Sequence, residues 1–200
     1  DLAGFAINAV MEKVPQVERS EVVDVMLGCG LTHHEQGFNL ARPASLLGGM
    51  PDSVPATTVN RFCASSLQTI RMAYHAIKQG EGDVFVAAGT ESVSRTYGKA
   101  MDSEDLNPRF LESGSDDFIN NVYIPMGNTA ENVAKKYGIT RQRQDEFGKR
   151  SQDRAIEAQK NGFFDREITS IDVPDGRTIR FDDGPRPNTT LEKLASLPPV

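Results

Sequence analysis

Cys63 is the residue in this chain whose setting most favours covalent chemistry. It lies in the segment VNRFCASSLQTI, where a β-branched stretch ends just before the cysteine and an apolar helical pattern begins just after it. A residue at such a strand-to-helix turn lies at the carboxyl edge of an α/β sheet, which is where ligands bind in these folds. The dipole and unpaired amides of the helix start favour a thiolate, and the same amides can hold an oxyanion. The pattern therefore predicts that Cys63 is a nucleophile.

A small buried residue without chemical function is the usual alternative for a cysteine, and Cys29 fits it. Cys29 lies in the run MLGCG at the end of a strand, with no helix start after it. The two cysteines have neither CxxC spacing nor paired histidines downstream, so we predict no metal site and no disulfide framework. We also predict that His33, His34 and His75 are not catalytic. His75 lies about three turns into the helix after Cys63, too far away for a hydrogen bond to the thiol.

The elements that must position Cys63 alternate between helices and strands. LAGFAINAVMEKV predicts a helix, EVVDVMLGCG a strand, GFNLARPASLLGGMP a short helix and VPATTVNRF a second strand. A third helix is predicted to end at Gly80 and to bury one broad apolar face made of Leu67, Ile70, Met72, Ala73, Tyr74 and Ile77. DVFVAAG, residues 83–89, then predicts a strand that is apolar on both faces. Apolar strands between helices are typical of an α/β fold with a parallel sheet covered on both sides.

The character of the sequence changes near residue 95, where we predict a domain boundary. Residues 1–95 would form a core domain and residues 96–200 a second domain. The second domain begins with a polar, acidic and irregular stretch over residues 99–121. Two helices are predicted to follow, the second of them starting after Thr140 and ending at Gly162, and then a polar strand region, REITSIDV.

Composition and charge restrict the class of partner. The chain has 200 residues, 38% of them hydrophobic and 25% charged, as expected for an ordinary globular protein. Its net charge of -6 argues against binding to nucleic acid or to an anionic membrane surface, because both need a basic face. No apolar run approaches the roughly 20 residues that span a bilayer, and the first residues lack the order of a secretory signal. We therefore expect an intracellular protein without a membrane span.

Several segments together resemble the amino-terminal half of the thiolase family. VNRFCASSLQTI resembles the active-site signature of that family, AAGTESVSR its next strand and turn, and MGNTAENVA its substrate-loop motif. LARPASLLGGMP before the cysteine and RPNTTLEKLASL near the end extend the resemblance over nearly the whole chain, in family order. The segment IPMG at residues 124–127 is more similar to degradative 3-ketoacyl-CoA thiolases, since biosynthetic acetoacetyl-CoA thiolases usually carry histidine where this chain has Pro125.

The resemblance implies roles for three residues. Cys63 would take the acyl group, Met126 would line the acyl pocket and Arg186 would help to hold the nucleotide end of coenzyme A. The fold implied is a layered α/β/α arrangement with residues 96–200 as an inserted helical loop domain that binds substrate and coenzyme A. The family's opening strand, expected before Asp1 and central in the sheet, is not in this sequence. The catalytic histidine and second cysteine belong to the second half of the family's chains.

The activity implied is acyl transfer, either thiolysis of 3-ketoacyl-CoA to acetyl-CoA and a shortened acyl-CoA or the reverse condensation. Coenzyme A is a co-substrate, and no cofactor or metal is expected. The resemblance also implies a homodimer or homotetramer, in the cytoplasm or, in a eukaryote, in mitochondria or peroxisomes.

Two other functions fit parts of the same pattern. A β-ketoacyl synthase also has a cysteine before a serine-rich helix, but VNR before Cys63 and the MGNTAENVA loop favour a thiolase. A thiolase-like lipid carrier or interaction protein would keep the fold without catalysis, and retention of Cys63 in its motif argues against this alternative. A downstream histidine and second cysteine in the full-length protein would distinguish a thiolase from both.

Overall fold

The computed structural model describes residues 1–100, 106–111 and 122–200. They form two compact units, Asp1–Leu106 and Asn107–Val200. The boundary predicted at residue 95 lies inside the first of these units. Of the irregular stretch predicted over residues 99–121, residues 101–105 and 112–121 lie outside the described part of the chain.

The first unit is a parallel sheet with helices on both faces. Its elements are, in chain order, α1 (Leu2–Glu12), β1 (Asp24–Gly28), α2 (Ala41–Leu47), β2 (Ala56–Val59), α3 (Ser65–Gln79), β3 (Phe85–Gly89) and α4 (Val93–Ala100). The strands lie in the order β2-β1-β3, and β1 is parallel to both neighbours. Helices α1 and α2 cover one face of the sheet, and α3 covers the other. The predicted α/β/α layering around a parallel sheet is therefore confirmed.

Strand β1 is buried on both faces. Val25 and Leu27 have no exposed surface and join the apolar core beneath α1 and α2. Met26, which points to the opposite face because side chains alternate along a strand, is also buried. The two layers of helices thus fix β1 as the central strand of the described sheet.

Helix α3 contacts the sheet through small residues, so the apolar face predicted for it is mostly wrong. The buried residues of the helix are Ser65, Thr69, Ala73 and Ala76. Only Ala73 of the predicted face is buried and Met72 is half-buried, whereas the large side chains are exposed, namely Leu67, Ile70, Tyr74 and Ile77. At its start α3 approaches the end of β1 so closely that a Cβ atom at Gly28 would lie 2.5 Å from backbone atoms of Ser65 and Ser66, and the face turned to the sheet is the one that carries small side chains.

Strand β3 corrects a further expectation. In the described sheet, β1 pairs directly with β2 and with β3. β3 was expected to be buried on both faces. Val86 is buried, but Ala87 is exposed, because β3 lies at an edge of the described sheet.

The second unit is mainly helical. Its elements are α5 (Met126–Tyr137), α6 (Arg141–Lys160), the two-residue strands β4 (Ile171–Asp172) and β5 (Thr178–Ile179), which pair antiparallel, and α7 (Leu191–Ala195). As predicted, Thr140 caps α6 by accepting a hydrogen bond from the Arg143 amide at 3.3 Å, and Gly162 adopts a left-handed conformation just beyond the helix. Among the described residues, no helix combines the length and apolar character that crossing a membrane requires.

Candidate active site

Cys63 lies in a short turn between a strand and a long helix. Strand β2 ends at Val59, the 3₁₀ turn Phe62–Ala64 contains the cysteine, and α3 begins at Ser65. The strand-turn-helix setting predicted for Cys63 is confirmed. Its side chain is exposed within the described residues, whereas Cys29 is buried. The exposed thiol can therefore meet a reactant at the carboxyl edge of the sheet.

Hydrogen bonds from two side chains hold this turn in shape. The Asn60 carbonyl Oδ1 accepts from the Phe62 amide at 2.9 Å. The Ser65 hydroxyl accepts from the Arg61 amide at 2.9 Å and donates to the Phe62 carbonyl at 2.6 Å. Phe62 has a φ of 45°, a left-handed value that is unfavourable for a residue with a side chain. The bonds from Asn60 and Ser65 offset that strain directly before Cys63.

Two backbone amides beside Cys63 already donate hydrogen bonds to carbonyl groups. The prediction of unpaired amides at this helix start is therefore wrong for these two groups. The Ala64 amide donates to the Arg61 carbonyl at 3.0 Å, and the Ser65 amide donates to the Phe62 carbonyl. These two groups are thus not unpaired donors for an oxyanion. The dipole of the 15-residue helix α3 still points its positive end toward the turn, and no acidic residue lies in the first helical turn to oppose it.

The start of α3 packs directly on the end of β1. A Cβ atom at Gly28 would lie 2.5 Å from the Ser65 carbonyl carbon and from the Ser66 nitrogen, far inside contact distance. Glycine is therefore the residue that allows this approach of backbone to backbone. On the other side, the Thr69 hydroxyl reaches the Ala88 carbonyl of β3 at 3.3 Å. The helix that follows Cys63 is thus fixed against two strands.

Cys29 has surroundings opposite to those of Cys63. Only 1% of its surface is exposed, and its sulfur lies 3.9 Å from Oε1 of Glu91. Burial, and then the negative charge of Glu91, raise the pKa of the Cys29 thiol. A thiol with a raised pKa is mostly protonated near neutral pH and therefore a poor nucleophile. These surroundings support the prediction that Cys29 is inert.

Glu91 and Gln36 connect the loops after β1 and β3, and no sequence pattern considered above predicts this role for either residue. Glu91 Oε2 accepts from the amides of Gly30 at 2.7 Å and Leu31 at 3.2 Å. Glu91 Oε1 accepts from Nε2 of Gln36 at 2.6 Å, and Gln36 Oε1 accepts from the Ser92 amide at 2.5 Å. Gln36 is 4% exposed. One signal was available, since an acidic residue just after a parallel strand lies at the same sheet edge as Cys63.

Met126 and Arg186, the two residues predicted to bind substrate, belong to the second unit. Met126 is the first residue of α5, directly after Pro125, and 72% of its surface is exposed. Arg186 lies in the loop between β5 and α7, where its amide donates to Oε1 of Gln152 at 2.7 Å and its carbonyl accepts from the Thr189 hydroxyl at 2.8 Å. The hydrogen bond from the Arg186 amide to Gln152 thus fixes this loop to α6. Arg186 itself is exposed. Their predicted roles remain predictions.

Comparison with known families gives a match over the entire chain. The family model described as "Thiolase, N-terminal domain" matches residues 1–200. The chain belongs to the thiolase family. A β-ketoadipyl-CoA thiolase of Pseudomonas aeruginosa is 40% identical over 221 residues, which cover 100% of this chain and 53% of the relative. A 3-ketoacyl-CoA thiolase of Aeromonas salmonicida is 38% identical over 204 residues, covering 100% of this chain and 51% of the relative.

A solved thiolase-family structure has the same fold. The crystal structure of the Bacillus anthracis acetyl-CoA acetyltransferase aligns with a TM-score of 0.79 and 34% sequence identity, over 98% of this chain and 51% of that one. The thiolase-family chain described here thus spans about half the length of the relatives it matches.

The Ser65 hydroxyl gives a first test of the turn in this thiolase-family protein. Ser65→Ala removes two hydrogen bonds and leaves the Arg61 amide without that acceptor. We expect the free energy of unfolding to fall by about 1–3 kcal/mol in the full-length protein. Urea denaturation measures this change. Ser66→Ala, which removes an exposed hydroxyl from the next residue, is the control, and equal losses from the two substitutions would contradict the role given to Ser65.

Proposed function

We propose that the full-length protein is an acyltransferase that cleaves 3-ketoacyl-CoA through a thioester on Cys63. The observation that carries this proposal is the exposed Cys63 in a braced turn before α3, in a chain that matches the thiolase amino-terminal domain throughout. Cys29, the other cysteine of the segment, is buried beside a carboxylate and is unsuited to this role.

The proposed reaction has two half-reactions. The Cys63 thiolate attacks the 3-keto carbonyl, and the bond between C2 and C3 of the substrate breaks. Its electron pair goes to C2, which takes a proton and leaves as acetyl-CoA. The remaining acyl group stays on the Cys63 sulfur until the thiol of a second coenzyme A, on losing its proton, displaces it. The scheme requires a base and an acid besides the nucleophile, and by family resemblance a histidine and a second cysteine of the second half supply them.

Coenzyme A is accordingly proposed as the co-substrate, without a metal or resident cofactor. In this proposal Met126, exposed at the start of α5, lines the acyl pocket with its flexible side chain, and Arg186 binds the nucleotide end of coenzyme A. The homodimer or homotetramer and the cytoplasmic location, or mitochondrial or peroxisomal in a eukaryote, are part of the same proposal. They rest on the family resemblance.

The preferred substrate is proposed to be a 3-ketoacyl-CoA longer than four carbons. Pro125 stands where biosynthetic acetoacetyl-CoA thiolases usually carry histidine. The Pseudomonas aeruginosa and Aeromonas salmonicida relatives are named for β-ketoadipyl-CoA and for 3-ketoacyl-CoA, which supports a 3-ketoacyl-CoA substrate.

A series of substrates of increasing chain length tests this assignment. We expect the full-length protein to cleave longer 3-ketoacyl-CoA esters with a kcat/KM at least equal to that for acetoacetyl-CoA, because an acyl pocket adds binding energy for each buried methylene. The measurement is kcat/KM for thiolysis at each length. A strict preference for acetoacetyl-CoA would contradict the degradative assignment while leaving acyl transfer intact.

A further inference from the structure

We infer that Glu91 is a positioning residue for Cys63, and that its carboxylate holds the nucleophile's turn through Gly30 and Asn60. Glu91 follows β3, Gly30 follows β1 and Asn60 follows β2, so three strand ends meet in one set of hydrogen bonds. The inference rests on the proposed function, since it assigns Glu91 a task in the chemistry of Cys63.

The surroundings of Glu91 call for a carboxylate. Oε2 accepts from the amides of Gly30 and Leu31, at 2.7 and 3.2 Å. Oε1 accepts from Nε2 of Gln36 at 2.6 Å and faces the thiol of Cys29 at 3.9 Å. Both oxygens thus face donors. A glutamine here would turn an N–H₂ group toward one of these sets of donors, so that a donor would face a donor.

Gly30 links Glu91 to the turn of Cys63 through hydrogen bonds. The Gly30 carbonyl accepts from Nδ2 of Asn60 at 3.1 Å, and Oδ1 of the same Asn60 accepts from the Phe62 amide at 2.9 Å. Phe62 directly precedes Cys63. A Cβ atom at Gly30 would lie 2.9 Å from Glu91 Oε2 and 3.3 Å from the Phe62 carbonyl oxygen, so Gly30 fits tightly between the carboxylate and the turn. A shift of Gly30 would therefore move the turn.

Gln36 fixes the carboxylate from its other side. Its Nε2 donates both to Glu91 and to the Leu31 carbonyl at 2.7 Å, and its Oε1 accepts from the Ser92 amide at 2.5 Å. Every polar atom of this buried side chain has a partner. Gln36 therefore sets the orientation of Glu91, and Glu91 sets the orientation of Gly30.

Glu91→Gln in the full-length protein tests the inference. We expect the rate constant for alkylation of Cys63 by iodoacetamide, followed peptide by peptide with mass spectrometry, to fall about fivefold, since moving the thiol away from the positive end of α3 lowers its thiolate fraction. We expect kcat for thiolysis to fall by a similar factor and KM to stay within about threefold. Partial unfolding would reduce the fraction of Cys63 that a short acyl-CoA protects from alkylation, and it would reduce the number of active sites. It would leave the alkylation rate constant of the folded molecules unchanged.

Glu35→Gln is the matched control, because it removes the same charge from the loop after β1, next to Gln36. Glu35 pairs with Arg95 at 2.5 Å on the exposed side of that loop. This variant should keep both rate constants within about twofold of the wild type, since exposed ion pairs contribute little.

Asn60→Asp cuts the same connection at its other end. It removes the Nδ2 donor to the Gly30 carbonyl and keeps the Oδ1 acceptor for the Phe62 amide. A similar loss in rate constant is expected. A wild-type alkylation rate constant and kcat in Asn60→Asp would overturn the inference, even where Glu91→Gln does not fold, and so would wild-type values in Glu91→Gln. A wild-type protein that forms no acyl adduct on Cys63 would instead overturn the proposed function, so the two failures are distinguishable.

Discussion

Replacing Cys63 with serine in the full-length protein should lower thiolytic kcat by at least about three orders of magnitude. A serine hydroxyl is a far weaker nucleophile than a thiolate at neutral pH, and the proposed thioester cannot form on it. Cys63 is exposed in a turn held by Asn60 and Ser65, so serine should fit there without disturbing the fold. The measurement is kcat for thiolysis, combined with mass spectrometry of the protein after exposure to an acyl-CoA.

Cys29→Ser provides the internal control. Cys29 is 1% exposed, so the substitution should cost about 1–2 kcal/mol of stability by burying a hydroxyl, with most of the activity retained. Substoichiometric iodoacetamide near neutral pH should likewise modify Cys63 well before Cys29, and a short acyl-CoA should protect Cys63. An acyl adduct on Cys29, or no adduct in this segment, would refute the proposed mechanism.

Alanine at Gly28 should destabilise the protein by about 3 kcal/mol or more, the largest stability effect we expect of a single methyl group here. The new Cβ would lie 2.5 Å from backbone atoms of Ser65 and Ser66, and backbone cannot turn aside as a flexible side chain can. Relief of the clash requires α3 to move away from β1. Activity should fall together with stability, since the turn of Cys63 is continuous with the start of α3.

Gly98→Ala is the matched control for Gly28→Ala. Gly98 lies within α4. Apart from its chain neighbours and the backbone of its own helix, no atom lies within 4 Å of a Cβ added there. Alanine should therefore stabilise that helix by up to about 1 kcal/mol. Thermal and urea unfolding of the full-length variants measure both effects. A Gly28→Ala protein as stable as the wild type would show that α3 does not pack on β1 as described.

The order of elements and the setting of Cys63 were predictable because their signals are local. Neighbouring positions alone show the β-branched residues before Cys63, the helical pattern after it and Gly80 at the helix end. Gly80 has a φ of 76°, as expected for a glycine that ends a helix. The family motifs added the identity of the fold. Local patterns of this kind specify where an element begins and ends.

The packing face of α3 and the contacts of Glu91 were not predictable in the same way. Hydrophobic periodicity favoured Leu67 and Tyr74 as the buried residues, whereas α3 buries small residues such as Ala73 and begins in close contact with Gly28. Glu91 binds Gly30 across a sequence separation of 61 residues. No local pattern specifies such a contact, which follows from the parallel pairing of β1 with β3.

That pairing order also has a consequence for how the chain folds. Both strand pairs described in the first unit are parallel. Two parallel strands can form hydrogen bonds only after the long connection between them has closed, and this entropy cost slows folding. The pair β1–β2 joins Val25 to Ala56, and the pair β1–β3 joins Val25 to Val86, the longer of the two closures. The turn of Cys63 follows β2, but Glu91 arrives only with β3. We therefore expect the turn of Cys63 to form with β2 and to acquire its final geometry only when β3 docks.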